Sequence, residues 1–138
     1  MKKMTIITAM AVSMAMNLFA LEKGEISKRF KDVESIYNEM QSKYESAKTK
    51  KTQEGWLEME QYRARWRAAR DYFDYPIRHI RAKVKGEIKD NHGNVVKPTE
   101  DELAEWKKWE GYMDTKIPKM EEFVENAPIL LRPGKSSK

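Results

Sequence analysis

The densest cluster of residues able to do chemistry lies between residues 62 and 83, which read YRARWRAARDYFDYPIRHIRAK. This segment holds six arginines and a lysine among aromatic side chains. Guanidinium groups bind phosphates and carboxylates, so the pattern is typical of a surface for nucleic acid or acidic lipid. It is equally typical of one half of a charge match inside the protein. The functional interpretation depends on which of the two applies.

Charge counts along the chain favour the charge match. Residues 61–85 hold eight basic and two acidic side chains, a balance of +6, whereas residues 99–126 hold nine acidic and four basic side chains, a balance of −5. Because the two balances nearly cancel, we expect the segments to lie together, either within one chain or between chains. Exposed ion pairs contribute only about 0.2–1 kcal/mol each, so they would select the partner and its register rather than supply the stability.

Basic residues lie at regular positions along this segment. Six of them each follow an apolar residue of a helical series by one position, which places them along one border of the apolar stripe. Such a border is where the flanking charges of a coiled coil lie. The candidate interaction surface therefore comprises Arg63, Arg67, Arg70, Arg78, Arg81 and Lys85.

The four tryptophans suggest a different kind of contact. An exposed row of tryptophans in an envelope protein would stack on sugar rings of the cell wall. The candidate aromatic contacts are Trp56, Trp66, Trp106 and Trp109. All four lie on the apolar series of their helices, however, and an amphipathic stripe normally buries itself. Core packing is therefore the preferred interpretation.

The chain offers little support for catalysis, a cofactor or a metal site. His79 and His92 have no histidine or acid three or four residues away that would complete a metal-binding face. The loop ending at Gly93 lacks the glutamate that a calcium loop requires six residues later, because Thr99 stands there. Acidic pairs such as Glu121-Glu122 would need an enclosed cleft to act as acid and base. We predict a non-enzymatic protein with no metal and no cofactor.

The N-terminus is typical of an export signal. Residues 1–20 begin with Lys2 and Lys3, continue as an apolar run and end in small residues, so we predict a signal peptide cleaved after Ala20. Cleavage would lower the formal net charge from +5 to +3. We expect a periplasmic or secreted bacterial protein, which makes nucleic acid an unlikely partner. The absence of cysteine excludes disulfides but is compatible with that compartment.

Two apolar series predict the first helices. From Ile26 to Ala47 apolar residues recur in alternating steps of four and three, and a second series runs from Trp56 to Val84. A polar turn separates the two helices, and Thr52 is placed to cap the second. Pro76 predicts a kink or a short break near residues 74–76, with Asp74 able to cap a restart.

The remainder of the chain predicts a loop, a third helix and a tail. Residues 87–98 carry turn residues between apolar ones, which is typical of a small loop or β-hairpin. Thr99 and Glu102 form a capping box that starts a third helix, which Gly111 and Pro118 would bend or divide. The prolines after residue 126 predict a non-helical C-terminal tail over residues 127–138.

These elements predict an all-α fold: an antiparallel, coiled-coil-like helical hairpin with a third, bent helix, in a single domain over residues 21–126. In general architecture such a chain is similar to small periplasmic helical chaperones and to short helical-hairpin adhesins. We therefore expect self-association or protein binding in the cell envelope. The alternatives are binding to cell-wall polymer or to an anionic membrane surface, and, as a third class, a small hydrolase.

Overall fold

The computed structural model describes residues 24–134, and within them the chain forms four helices: α1 (Glu25–Ala47), α2 (Gln53–Val84), α3 (Glu100–Asp114) and α4 (Lys116–Leu130). The predicted all-α class is confirmed. The predicted signal peptide and the last four residues of the predicted tail lie outside the described residues.

Helix α1 follows the alternating series of its sequence. Ile26, Phe30, Val33 and Met40 are buried, and the other aromatic members of the series are half-buried against the same core. After a short polar turn, Thr52 caps α2 as predicted, because its hydroxyl oxygen accepts a hydrogen bond of 3.0 Å from the backbone N–H of Gly55.

Helix α2 continues without interruption through Pro76, so the predicted break and the capping role of Asp74 were wrong. Proline lacks the N–H that would bond to the carbonyl four residues earlier, here that of Tyr72. Arg29 of α1 donates to this carbonyl instead, with 2.8 Å between Nη1 and the oxygen. Pro76 is itself buried, as are Phe73 and Ile77, so core packing also holds this part of the helix.

The segment after α2 is an ordered loop with one isolated antiparallel bridge, between Lys89 and Val95, rather than a hairpin of regular strands. Gly86 ends α2 with a φ of 75°, a left-handed conformation that suits glycine. The side chain of Asp90 accepts hydrogen bonds from the backbone N–H groups of His92 and Asn94, which closes the loop on itself.

The capping box at the start of α3 is confirmed, since Thr99 and Glu102 exchange side-chain and backbone hydrogen bonds of 3.1 and 2.8 Å. Glu102 also accepts two hydrogen bonds from Lys83 Nζ, at 2.9 and 3.1 Å. Both side chains are at least nine-tenths buried. This buried pair fastens the start of α3 to the end of α2.

Of the two forms expected for the third helix, bent or divided, the structure has the divided one, and the two helices separate at Thr115. Pro118 does not interrupt the chain because it lies in the first turn of α4, where a helix needs no N–H donor. The predicted start of a non-helical tail at residue 127 was wrong, since α4 continues through Pro128 to Leu130. Pro128 removes one backbone hydrogen bond near the end of the helix. Burial of Ala127, Pro128 and Leu131 stabilises this end in spite of that loss.

Residues near the end of α1 contact residues near the start of α2, and residues near the start of α1 contact residues further along α2. Ion pairs join Lys43 to Glu58 at 4.0 Å and Glu39 to Arg65 at 3.9 Å, whereas Arg29 reaches Tyr72 further along α2. The two helices therefore run in opposite directions.

Helices α3 and α4 together pack back along α2, because Lys83 contacts Glu102, Phe73 packs on Trp109 and Arg67 binds Glu125. All four helices contribute to one core. Its fully buried large side chains include Val33, Met40, Met59, Trp66, Phe73 and Val124.

Candidate interaction surface

The first half of the predicted basic border faces α4 and binds its carboxylates. Arg67 donates to both oxygens of Glu125, at 2.8 and 2.5 Å, and Arg63 Nη1 lies 3.8 Å from the same carboxylate. Arg70 Nη1 donates to Glu121 at 3.1 Å. The hydrogen bond from Arg67 lowers the pKa of Glu125 below its usual range. The acidic complement of these three arginines is thus supplied by the same chain.

The second half of the border lacks this cover. Arg78 binds Asp74 on its own helix, with 3.0 Å between Nη2 and Oδ2, and its side chain is 60% exposed. Within residues 24–134, Arg81 and Lys85 form no salt bridge and are exposed. The six predicted residues therefore divide into a covered group (Arg63, Arg67, Arg70) and an uncovered group (Arg78, Arg81, Lys85).

Asp74 lies between the two groups and is buried, with 3% of its surface exposed. Desolvation raises the pKa of its carboxyl, although the nearby guanidinium groups of Arg78 and Arg70 act in the opposite direction. Its Oδ2 accepts from Arg78, whereas Oδ1 is buried without a protein partner. Buried carboxyls with raised pKa values occur at catalytic sites, but also in structural ion-pair networks such as this one.

Two tyrosines extend the uncovered group into an aromatic and basic surface. Tyr72 is 56% and Tyr75 is 52% exposed. Tyr72 is held in place by Arg29, whose guanidinium lies 3.6 Å from the centre of the tyrosine ring. The sequence interpretation did not single out these residues, although they are the aromatic residues of this segment that fall outside the apolar series of α2. We call Tyr72, Tyr75, Arg78, Arg81 and Lys85 the distal α2 face.

The structure gives the four tryptophans different surroundings. Trp66 and Trp109 are in the core, at 0% and 3% exposure, and Trp109 Nε1 donates to Glu105. Trp106 is half-buried against that core, and Trp56 is half-buried with the guanidinium of Arg132 5.9 Å from its ring. Nε1 atoms of Trp56 and Trp66 are buried without a protein partner. The four therefore do not form an exposed row.

The two histidines lie in separate places. His79 is partly buried near Lys83, and desolvation together with that lysine lowers the pKa of its imidazole. His92 is exposed at the tip of the loop. Among residues 24–134, no three histidine, aspartate or glutamate side chains lie close enough together to hold a metal ion.

An open groove of about 500 Å³ lies at the end of α2, where the loop returns towards α3. Its lining side chains are apolar or basic: Val84, Val95, Pro98, Leu103, Lys83, Lys85 and Lys97, with Gly86 between them. A much smaller cleft of about 30 Å³ lies between Ile77 and Arg81 of α2 and Trp106, Glu110, Met113 and Asp114 of α3. The carboxylates of Glu110 and Asp114 thus lie on the same side of α2 as Arg81, although neither forms an ion pair with it in the described chain.

Comparisons with family models, with curated proteins and with solved structures found no match for this chain. In the part of the chain that the structure describes, no helix is both long enough and apolar enough to cross a membrane.

Proposed function

We propose that this chain is an exported helical protein of the bacterial cell envelope that acts without catalysis, by binding a second copy of itself or another protein. The observation that supports this proposal is the distal α2 face, on which exposed tyrosines adjoin uncovered basic side chains. Tyrosine and arginine are the residue types most often responsible for binding energy at protein interfaces.

Spacing along the helix places four members of the distal α2 face on one side, and Tyr72 adjoins them through Tyr75 at the edge towards α1. Tyr75, Arg78, Arg81 and Lys85 follow one another at intervals of three, three and four residues, which places neighbouring side chains on one side of a helix. Helix α1 begins at Glu25, and its Arg29 lies beside Tyr72. At about 1.5 Å per residue on both helices, α1 covers α2 only to about residue 76. The part of α2 that carries Arg78, Arg81 and Lys85 therefore lies beyond the start of α1.

Sedimentation of the exported, processed protein tests this proposal. We expect its mass to rise with concentration and the association to depend on salt, because basic side chains contribute to the interface. Replacing Tyr75 and Arg81 by serine should weaken the association at least about tenfold. A matched control replaces Leu57 and Arg65 by serine, which removes an exposed apolar and an exposed basic side chain elsewhere on α2. The mass of the same sample also tests cleavage after Ala20.

The second candidate function is binding to cell-wall polymer or to an anionic membrane surface. Arg81, Lys85 and Lys97 favour it, since none of them has an acidic partner within residues 24–134. A protein that remains a monomer at every concentration, and that sediments with isolated cell wall or with anionic vesicles, would contradict the first proposal and support this one.

A further inference from the structure

Hydrogen bonds within the chain hold the walls of the open groove at the end of α2. Gly86 and Glu87 close the helix with a Schellman motif, in which their N–H groups bond to the carbonyls of Lys83 and Ala82 at 3.0 and 2.9 Å. On the other side, the backbone N–H of Val96 bonds to the carbonyl of Ile88 at 2.8 Å. These bonds fix the two walls relative to each other, and the buried pair of Lys83 and Glu102 fixes α3 beneath them.

All the charged residues that line the groove are lysines. Lys85 and Lys97 are exposed at its rim, and no carboxylate lines it. Lys83 contributes its aliphatic stem, because its ammonium group is bonded to Glu102. Two exposed lysines in one groove, with no carboxylate among its lining residues, favour binding of an anion there.

The floor of the groove is apolar. Val84 is 38% and Val95 is 47% exposed, and Pro98 and Leu103 continue the same surface. Covering such a surface with an apolar group is favourable. The lining side chains include no amide, hydroxyl or carboxylate group with which a peptide backbone could pair. The floor therefore favours a hydrocarbon chain over a peptide.

From these observations we infer that the groove binds a single-chain amphiphilic anion, a free fatty-acid-type carboxylate, with its head between Lys85 and Lys97 and its acyl chain along Val84, Val95 and Leu103. A volume of about 500 Å³ lies in the range of small-molecule sites. The groove is open, so part of the chain stays in contact with water. This site shares Lys85 with the distal α2 face, whereas its floor of Val84, Val95 and Leu103 lies outside that face.

Titration of the full chain with hexanoate, octanoate and decanoate, below their micelle concentrations, tests the inference. We expect the affinity to increase about two- to fourfold per added methylene, as hydrocarbon leaves water. Decanol, which has the same chain without the charge, should bind at least about fivefold more weakly. Amide NMR shifts should be concentrated at Val84, Val95 and Leu103.

Two charge-matched variants locate the anion. Replacing Lys85 and Lys97 by glutamine should reduce decanoate affinity at least about fivefold and leave decanol unchanged. Replacing the exposed Lys107 and Lys119 by glutamine changes the net charge equally and should have no effect. The inference would be overturned if the two variants lost equal affinity for decanoate, or if decanol and decanoate bound equally well. It would also be overturned if the chain bound only an acidic peptide or only anionic phospholipid vesicles.

Discussion

Asp74 and Glu125 are carboxylates near the same row of arginines, yet their surroundings affect them in opposite ways. Burial raises the pKa of Asp74 from its ordinary value of 3.8, because desolvation outweighs the attraction of Arg78 and Arg70. The hydrogen bond from Arg67 lowers the pKa of Glu125 from its ordinary value of 4.5. The ionised form of Asp74 therefore destabilises the fold, whereas that of Glu125 stabilises it.

This difference predicts opposite pH dependences for two variants. The favourable contribution of Asp74 is present below pH 3.8 and is lost as the pH rises through its raised pKa. Asp74→Asn should therefore gain stability relative to the native chain as the pH rises from 3 to 7. The contribution of Glu125 is present above pH 4.5 and is lost as the pH falls through its lowered pKa. Glu125→Gln should therefore lose stability over the same rise, by about 0.2–1 kcal/mol since the pair is partly exposed.

Urea unfolding of the native chain and both variants at a series of pH values measures these differences. The expected signs are opposite, so a general effect of pH on the fold cannot produce both. Curves for Asp74→Asn and the native chain that stay parallel would show that burial does not disfavour the charge of Asp74.

At the scale of the element, the continuity of α2 depends on a contact with α1. Pro76 leaves the carbonyl of Tyr72 without its helical partner, and Arg29 supplies the missing donor. Arg29 is 5% exposed, so its position is set by packing as well as by this bond and by Glu25, 3.5 Å away. A helix that Pro76 would otherwise weaken is thereby joined to its neighbour.

A double-mutant cycle tests this interdependence. Arg29→Met in the native chain leaves the partly buried carbonyl of Tyr72 without its donor and should cost about 1–3 kcal/mol of unfolding free energy. In a Pro76→Ala background the new N–H can bond to Tyr72, so the same change should cost less, with a coupling of at least about 0.5 kcal/mol. Arg65→Met combined with Pro76→Ala is the control, because Arg65 contacts Glu39 about three turns away. Additive effects of Arg29 and Pro76 would contradict the interpretation.

Local sequence predicted the features of these elements that local chemistry determines. The alternating series identified the buried face of α1, and Thr52 and Thr99 capped their helices as expected. The hydrogen bond from Arg29 to Tyr72 could not be predicted, since it depends on how α1 and α2 align over 43 residues of separation. Pro118 and Pro128 were misleading because the cost of a proline depends on its position relative to the helix ends, which the sequence alone did not fix.

For the candidate site, the opposite net charges of residues 61–85 and 99–126 predicted that the two segments pair, but not whether they pair within one chain or between two. A count of charges is the same whether the complement comes from one chain or from two. The structure resolves this for Arg63, Arg67 and Arg70, which bind carboxylates of α4 in the same chain. The exposure of Tyr72 and Tyr75 could have been read from their positions outside the apolar series.

In the whole molecule, carboxylates of α4 cover part of the basic surface, although basic residues outnumber acidic ones. Glu121 and Glu125 lie over three arginines, so a polyanion approaching this side of α2 meets ion pairs rather than free guanidinium groups. Basic character remains at the other end, where Arg81, Lys85 and Lys97 are exposed.

Removing the acidic cover should therefore create a new anion-binding surface. The double variant Glu121→Gln and Glu125→Gln frees Arg67 and removes the α4 partners of Arg63 and Arg70, which keep only carboxylates of α2 itself. We expect its affinity for heparin at low salt to rise with a steeper salt dependence, because an arginine released from α4 can displace a counterion. Asp32→Asn with Glu122→Gln is the control, since both residues are exposed and neither forms an ion pair within residues 24–134. Both variants raise the net charge by two. The first should bind heparin roughly threefold more tightly than the second, since contact with grouped guanidinium groups is stronger than a general increase in charge. Equal binding by the two variants would mean that the arginines are available to anions in the native chain, and the anionic-surface function would then gain the whole length of α2.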